Sequence, residues 1–156
     1  SKVKQYNASY ITVTGGEPLA QQKCLMLLKE LCDTYPNVSL ETGGALSVAK
    51  VDSRVRKIID IKTPDSGEAD KNFLANLSFL THKDEVKFVI CSYSDFKWAV
   101  AFIKEHDLTS KAPVIFSPSH ETTSIQNLAE WVLEANIMVR VQMQLHKIIW
   151  GNQPGK

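Results

Sequence analysis

Six short stretches, at residues 10–14, 38–41, 57–62, 85–90, 113–117 and 139–145, are rich in apolar and β-branched side chains, several alternating strictly with polar ones, and predict β-strands. Between them the apolar positions recur at helical spacing. Residues 19–35 gather Cys24, Leu27, Leu28, Leu31 and Cys32 on one face, and residues 70–80 align Phe73, Leu74, Leu77 and Leu80. Residues 94–106 align Trp98, Ala101, Phe102 and Glu105. Residues 123–135 open on Thr123-Ser-Ile-Gln126, a capping-box arrangement, and place Ile125, Leu128, Ala129 and Val132 inward. Strands and helices in strict alternation predict an α/β domain over 1–156 with a mostly parallel sheet, open or curved into a barrel. Residues 63–70 and 151–156 read as loops.

The two faces of each strand differ in kind. Ile59 and Ile61 oppose Asp60 and Lys62; Ile11 and Val13 oppose Thr12 and Thr14; Val38 and Leu40 oppose Ser39 and Glu41. In 139–145 the odd positions Val139, Val141, Met143 and Leu145 are apolar, whereas Arg140, Gln142, Gln144 and then His146 are polar. Helices cover the apolar face of such a sheet, so the polar faces turn inward and are densest near the carboxyl ends. A barrel that only packs itself fills that space with Val, Ile and Leu, so a polar interior predicts a ligand cavity. A solvated edge strand is the competing reading for any one of these strands.

Composition narrows the function class. At 156 residues, with 44% hydrophobic and 22% charged residues, the chain can bury one real core. A net charge of +1 gives no broad cationic surface for nucleic acid. No apolar run is long enough to span a membrane, and no secretory signal is visible. Cys24, Cys32 and Cys91 are too few and too far apart for a disulfide framework or a C-x2-C metal site, which suits reduced thiols in a cytosol.

Candidate chemistry sits where strands end. Thr14-Gly-Gly-Glu-Pro18 joins the first strand to a helical pattern: the glycines let main chain press on a ligand, and Glu17 offers a carboxylate to a cationic group. Pro18 suits a first helical turn. Glu41-Thr-Gly-Gly44 repeats the theme, with Thr42 able to touch a ligand or simply to shape a turn. Asp60 and Lys62 fit a carboxylate, ribose hydroxyls or a structural ion pair, and Lys87 is comparable. Ser117, in Phe116-Ser-Pro-Ser119, lacks a G-x-S-x-G elbow and is no nucleophile. Gln142, Gln144 and His146 offer hydrogen bonds for substrate recognition, and no Walker or G-x-G-x-x-G loop is present.

Taken together, Thr14-Gly-Gly-Glu-Pro-Leu-Ala-Gln21, Glu41-Thr-Gly-Gly-Ala-Leu46, Asp60-Ile-Lys-Thr-Pro64, Val86-Lys-Phe-Val-Ile90, Phe116-Ser-Pro-Ser119 and Gln142-Met-Gln-Leu-His-Lys-Ile-Ile-Trp-Gly151 resemble the 7-carboxy-7-deazaguanine synthase family in order and spacing. The resemblance covers essentially the whole chain. It implies a partial, open TIM-like barrel and the radical S-adenosylmethionine chemistry of the queuosine pathway, which serves tRNA modification. The family is a carbon–nitrogen lyase that contracts 6-carboxy-5,6,7,8-tetrahydropterin to 7-carboxy-7-deazaguanine. It uses S-adenosylmethionine, a [4Fe–4S] cluster and Mg2+, and an electron donor supplies the cluster. By resemblance, Gly15, Gly16, Glu17, Thr42, Asp60, Ile61, Lys62, Phe116, Ser117, Pro118 and Ser119 face the cofactor. Thr14, Gln144 and His146 face the pterin, and no catalytic residue is assigned.

The resemblance also implies a cytoplasmic homodimer without nucleic-acid or membrane partners. The family's three cluster cysteines, in a C-x3-C-x2-C loop, and the Asp/Asn-Thr that reaches magnesium have no counterpart here, and Gly43 stands where the family commonly has serine. The expectation is therefore a C-terminal portion of the enzyme, inactive by itself, with an unpaired edge at 10–14. A non-catalytic pterin- or purine-binding remnant of the same fold is the alternative.

Overall fold

The computed structural model describes residues 2–119, 122–151 and 153; the side chain of His146 and most of the loop expected at 151–156 lie outside the described part. Six strands form one sheet: β1 (Tyr10–Val13), β2 (Asn37–Thr42), β3 (Arg56–Ile61), β4 (Glu85–Ile90), β5 (Val114–Pro118) and β6 (Arg140–Val141). They lie side by side in chain order, and every neighbouring pair is parallel. The helices are α1 (Cys24–Thr34), α2 (Tyr93–Glu105), α3 (Leu108–Lys111), α4 (Ile125–Ala135) and α5 (Leu145–Trp150). No described helix is long and apolar enough to cross a membrane.

The core lies on the helix-covered side of the sheet. Ile59 and Ile61 of β3, Val86, Phe88 and Ile90 of β4, and Val114 and Phe116 of β5 pack against Phe96, Ala99, Phe102 and Ile103 of α2 and Leu128 of α4. Phe88 meets Phe102 and Phe116 edge-on, with ring centroids 6.0 and 5.7 Å apart, an arrangement the aromatic quadrupoles favour. A smaller cluster joins Val38 and Leu40 of β2 to Cys24 and Leu28 of α1. Each fully buried aliphatic or aromatic side chain contributes about 1.5–3 kcal/mol, which is what holds the helices on this face.

Five strands match expectation to within a residue at each end, and β6 does not. Pairing with β5 stops at Val141, and one further bond, from the Gln142 N–H to the Phe116 carbonyl, closes it. The chain then turns into α5, because Leu145, Ile148 and Ile149 follow a helical period that the apparent alternation over 139–145 concealed. The stretch 70–80 forms two 3-10 turns, Ala69–Lys71 and Leu74–Phe79, rather than one helix. Leu77 is buried there, while Phe73 and Leu74 are largely exposed.

Other offsets are smaller. The first turn after β1 is 3-10 (Pro18–Ala20), and Leu27 is exposed. Ala101 and Glu105 also face solvent, since the buried stripe of α2 runs through Asp95, Phe96, Ala99, Phe102 and Ile103. The cap of α4 is Ser124, which accepts from the Asn127 N–H, whereas the Thr123 hydroxyl donates to the Cys91 carbonyl.

Candidate functional site

The face of the sheet turned away from the helices carries the polar side chains that the alternation predicts, with Ile58, Val89 and Ile115 among them. Thr12 Oγ1 and Ser39 Oγ lie 2.9 Å apart across β1 and β2, and Thr14 Oγ1 donates to Glu41 Oε2 at 3.3 Å. Asp60 stands opposite Lys87, and Ser117 opposite Val89. Near the amino ends, Glu85 is buried and accepts from both Arg56 and Arg140, so two arginines and one carboxylate tie β6 to β3 and β4.

Toward the carboxyl ends this face lines two adjoining hollows. One, of ≈ 140 Å³, lies among Thr14, Gly16, Thr42, Gly43, Asp60 and Lys62; the other, of ≈ 500 Å³, among Ser117, Val141, Gln142 and Gln144. Glu41 and Lys87 line both. Lys87 forms no ion pair among the described residues, so its ammonium is available to a ligand acceptor.

The corner after β1 owes its shape to two glycines. Gly15 (φ 95°) and Gly16 (φ 56°) are left-handed, and a Cβ at either would meet nothing within 4 Å, so bare main chain faces open space. Glu17 does not present a free carboxylate. Its Oε1 accepts from the Leu19 N–H at 3.0 Å, capping Pro18–Ala20. Thr42 Oγ1 lies 2.9 Å from both carboxylate oxygens, and the Gly43 N–H donates to Oε2 at 2.8 Å. Thr42 is buried, and its hydroxyl is spent on Glu17.

At the end of β3, Lys62 Nζ pairs with Asp60 Oδ2 at 2.7 Å. Asp60 Oδ1 is the buried side-chain atom without a hydrogen-bond partner among the described residues. An unpaired carboxylate oxygen at the wall of a hollow is an acceptor waiting for a donor. Asn72 holds this strand end like a short extra strand: its Oδ1 accepts from the Lys62 N–H and its Nδ2 donates to the Lys62 carbonyl, both at 2.9 Å. Buried Asn76 does the same for the loop after β2, donating to the Gly44 and Leu46 carbonyls and accepting from the Val48 N–H. Neither asparagine was visible as functional in the sequence, because side-chain-to-main-chain bonds spanning ten residues for Asn72 and 28–32 for Asn76 leave no periodic trace.

Ile61 and Phe116 point into the core, so only their main chain can meet a ligand. Ser117 is buried on the hollow side, Pro118 pairs with Ile90, and the Ser119 N–H donates to the Ile90 carbonyl. Fully buried Asp95 joins the ends of β3 and β4 by accepting from Thr63 Oγ1, the Asp65 N–H and the Cys91 N–H. Burial pushes the Cys91 thiol above its ordinary value. Gln144 borders the larger hollow at the start of α5, and His146 follows in that helix rather than on a strand face.

This set fits one part of the chemistry expected and not another. Main chain at a glycine corner, the orphaned Asp60 oxygen and Lys62 suit a nucleoside with an amino-acid tail, as in S-adenosylmethionine. For an iron–sulfur cluster or Mg2+ the described residues hold no group of three or more His, Cys, Asp or Glu able to bind a metal.

No protein-family model matches the chain. It is 43% identical to the 7-carboxy-7-deazaguanine synthase of Chlorobaculum tepidum, over 96% of this chain and 70% of that protein. It is 40% identical to that of Koribacter versatilis (90% and 68%) and 33% identical to that of Clostridium acetobutylicum (97% and 71%). Its fold is similar to the crystal structure of QueE from Escherichia coli, with a TM-score of 0.69 at 19% identity, covering 90% of this chain and 58% of that one. The open parallel sheet is thus a partial TIM-like barrel. On identity sustained across nearly its whole length, the chain belongs to the 7-carboxy-7-deazaguanine synthase family.

Proposed function

We propose that the chain carries the cofactor- and pterin-facing portion of a 7-carboxy-7-deazaguanine synthase. The reaction contracts the ring of 6-carboxy-5,6,7,8-tetrahydropterin with loss of ammonia. The observation that carries this reading is the polar hollow at the strand ends, lipped by Thr14 and Gly16, in a chain 43% identical to a named synthase. The main chain of Gly15 and Gly16, Asp60 and Lys62 would hold S-adenosylmethionine, with the main chain of Ile61 and of Phe116 to Ser119 beside it. Bound there, S-adenosylmethionine supplies the hydrogen-abstracting group of the family's chemistry. Thr14, Gln144 and His146 would take the pterin, and Lys87 stands between the two. The described residues offer no group of three or more His, Cys, Asp or Glu for a cluster or Mg2+, and no step is assigned to either. The same reading makes the protein cytoplasmic and homodimeric, with an electron donor as its partner. A non-catalytic remnant gains no support, since the relatives named above all carry the synthase name.

The test is direct binding. The chain is expected to quench the fluorescence of pterin-6-carboxylate and to broaden the NMR signals of S-adenosylhomocysteine, with both ligands bound together. Failure of both at millimolar concentration would remove the assignment of the hollow.

A further inference from the structure

We propose that Glu17 is a positioning residue, whose carboxylate acts on the bound nucleoside cofactor only through Thr42 and Gly43, by latching the end of β2 to the lip after β1. This rests on the reading of the hollow as an S-adenosylmethionine site. The acid of a Gly-Gly-Glu-Pro corner invites the opposite reading, a carboxylate aimed at the ligand's ammonium. The geometry turns it the other way.

A carboxylate has roughly four acceptor positions. Three donors already converge on Glu17: the Leu19 N–H from its own turn, and the Thr42 hydroxyl and Gly43 N–H from the neighbouring strand end. All lie at 2.8–3.0 Å, as charge-assisted bonds do. The carboxylate is half-buried, so exchanging these partners for a ligand would strand main-chain donors. β1 and β2 are adjacent in the sheet, and Glu17 therefore stitches two consecutive strand ends where both border the smaller hollow. Gly43 transmits the latch. A Cβ placed on it would lie 3.4 Å from Glu17 Oε2 and 3.8 Å from Lys62 Cε. Gly43 is therefore held between the carboxylate and the lysine that pairs with Asp60, and loosening it shifts that wall of the hollow.

A latch and a direct contact predict different losses. S-adenosylhomocysteine carries the ammonium-bearing tail; 5′-methylthioadenosine lacks it. In the full chain, Glu17→Gln is expected to weaken both by the same factor, about tenfold, the loss of one to two charge-assisted hydrogen bonds. Thr42→Val should reproduce part of the loss, Thr42→Ser should restore wild-type affinity, and the double variant Glu17→Gln/Thr42→Val should bind no worse than Glu17→Gln alone. Hydrogen exchange of the Gly43 amide should quicken in Glu17→Gln.

A loss confined to S-adenosylhomocysteine, with 5′-methylthioadenosine binding unchanged, would overturn the proposal, as would additive losses in the double variant. If Glu17→Gln does not fold, the Val/Ser pair at position 42 decides the matter by the same comparison of ligands. A wild-type chain that binds neither ligand would overturn the cofactor reading itself and the proposal with it. Unchanged exchange at Gly43 would overturn the latch whatever the ligands do.

Discussion

At the scale of single residues, the glycines separate into those required by conformation and those required by space. Gly44 needs both. Its φ is 75°, and a Cβ would come 3.2 Å from Ile59 Cγ2 and 3.4 Å from the Asp60 carbonyl, both of β3. Gly44→Ala is therefore expected to cost about 2 kcal/mol by urea denaturation, and Gly16→Ala, with open space beside it, about 1 kcal/mol. Equal costs would show that contact with β3 is irrelevant. The sequence announced that these corners mattered, because two glycine pairs beside acids are uncommon punctuation at strand ends. It could not announce which way Glu17 faces. That orientation depends on Thr42 and Gly43, some twenty-five positions away, and only the adjacency of β1 and β2 brings them within reach.

At the scale of elements, legibility followed the length of pairing: β1, also at an edge, pairs over four residues and was legible. β2 and β3, buried on one face and more open on the other, carry an alternating signal, and β5, buried throughout, reads as a short apolar run. β6 lies at the edge and pairs over two residues, so nothing enforces its pattern. The segment between β3 and β4 was misread for a different reason. Asn72 and Asn76 pin it to strand ends, and those bonds outweigh the weak helical spacing of Phe73, Leu74 and Leu77. The start of β3 is tied down by a buried ion pair, Lys57 Nζ to Asp84 Oδ2 at 2.9 Å, on the helix-covered side. Burial alone would raise the Asp84 carboxyl. Donation from the Lys57 N–H and ammonium, and from the Thr81 hydroxyl and N–H, outweighs it and holds the group below its ordinary value.

The folded state thus binds that proton more weakly than the unfolded chain does. Its stabilisation is complete above about pH 4, the ordinary aspartate range, and is lost as pH falls further through the depressed folded value. Asp84→Asn should cost about 3 kcal/mol at neutral pH, because it strands a buried ammonium, and should flatten the acid limb of the Tm–pH curve. Parallel acid limbs for wild type and variant would assign that loss to other carboxylates.

At the scale of the whole molecule, the described sheet has two free margins, β1 and β6. β1 presents unpaired main-chain groups next to Tyr10, which is 78% exposed, and such an edge recruits further strands. Sedimentation velocity is expected to show concentration-dependent association that Tyr10→Lys reduces, since a charge at an edge disfavours strand addition. Association unaffected by Tyr10→Lys would locate it elsewhere, for instance at the apolar side chains of α5, where Leu145, Ile148 and Ile149 are about 60% exposed.

Neighbours in this sheet are also neighbours in sequence, from first strand to last. Such a topology can be laid down as the ribosome delivers it: each new strand finds a finished template already waiting, and no earlier segment must be held open for a later one. A nascent chain paused after β4 should already protect β2 and β3 from protease, with the lip around Gly15 formed before the pterin side exists. The nucleoside end of the hollow would then be the first part of the molecule able to greet a ligand during synthesis.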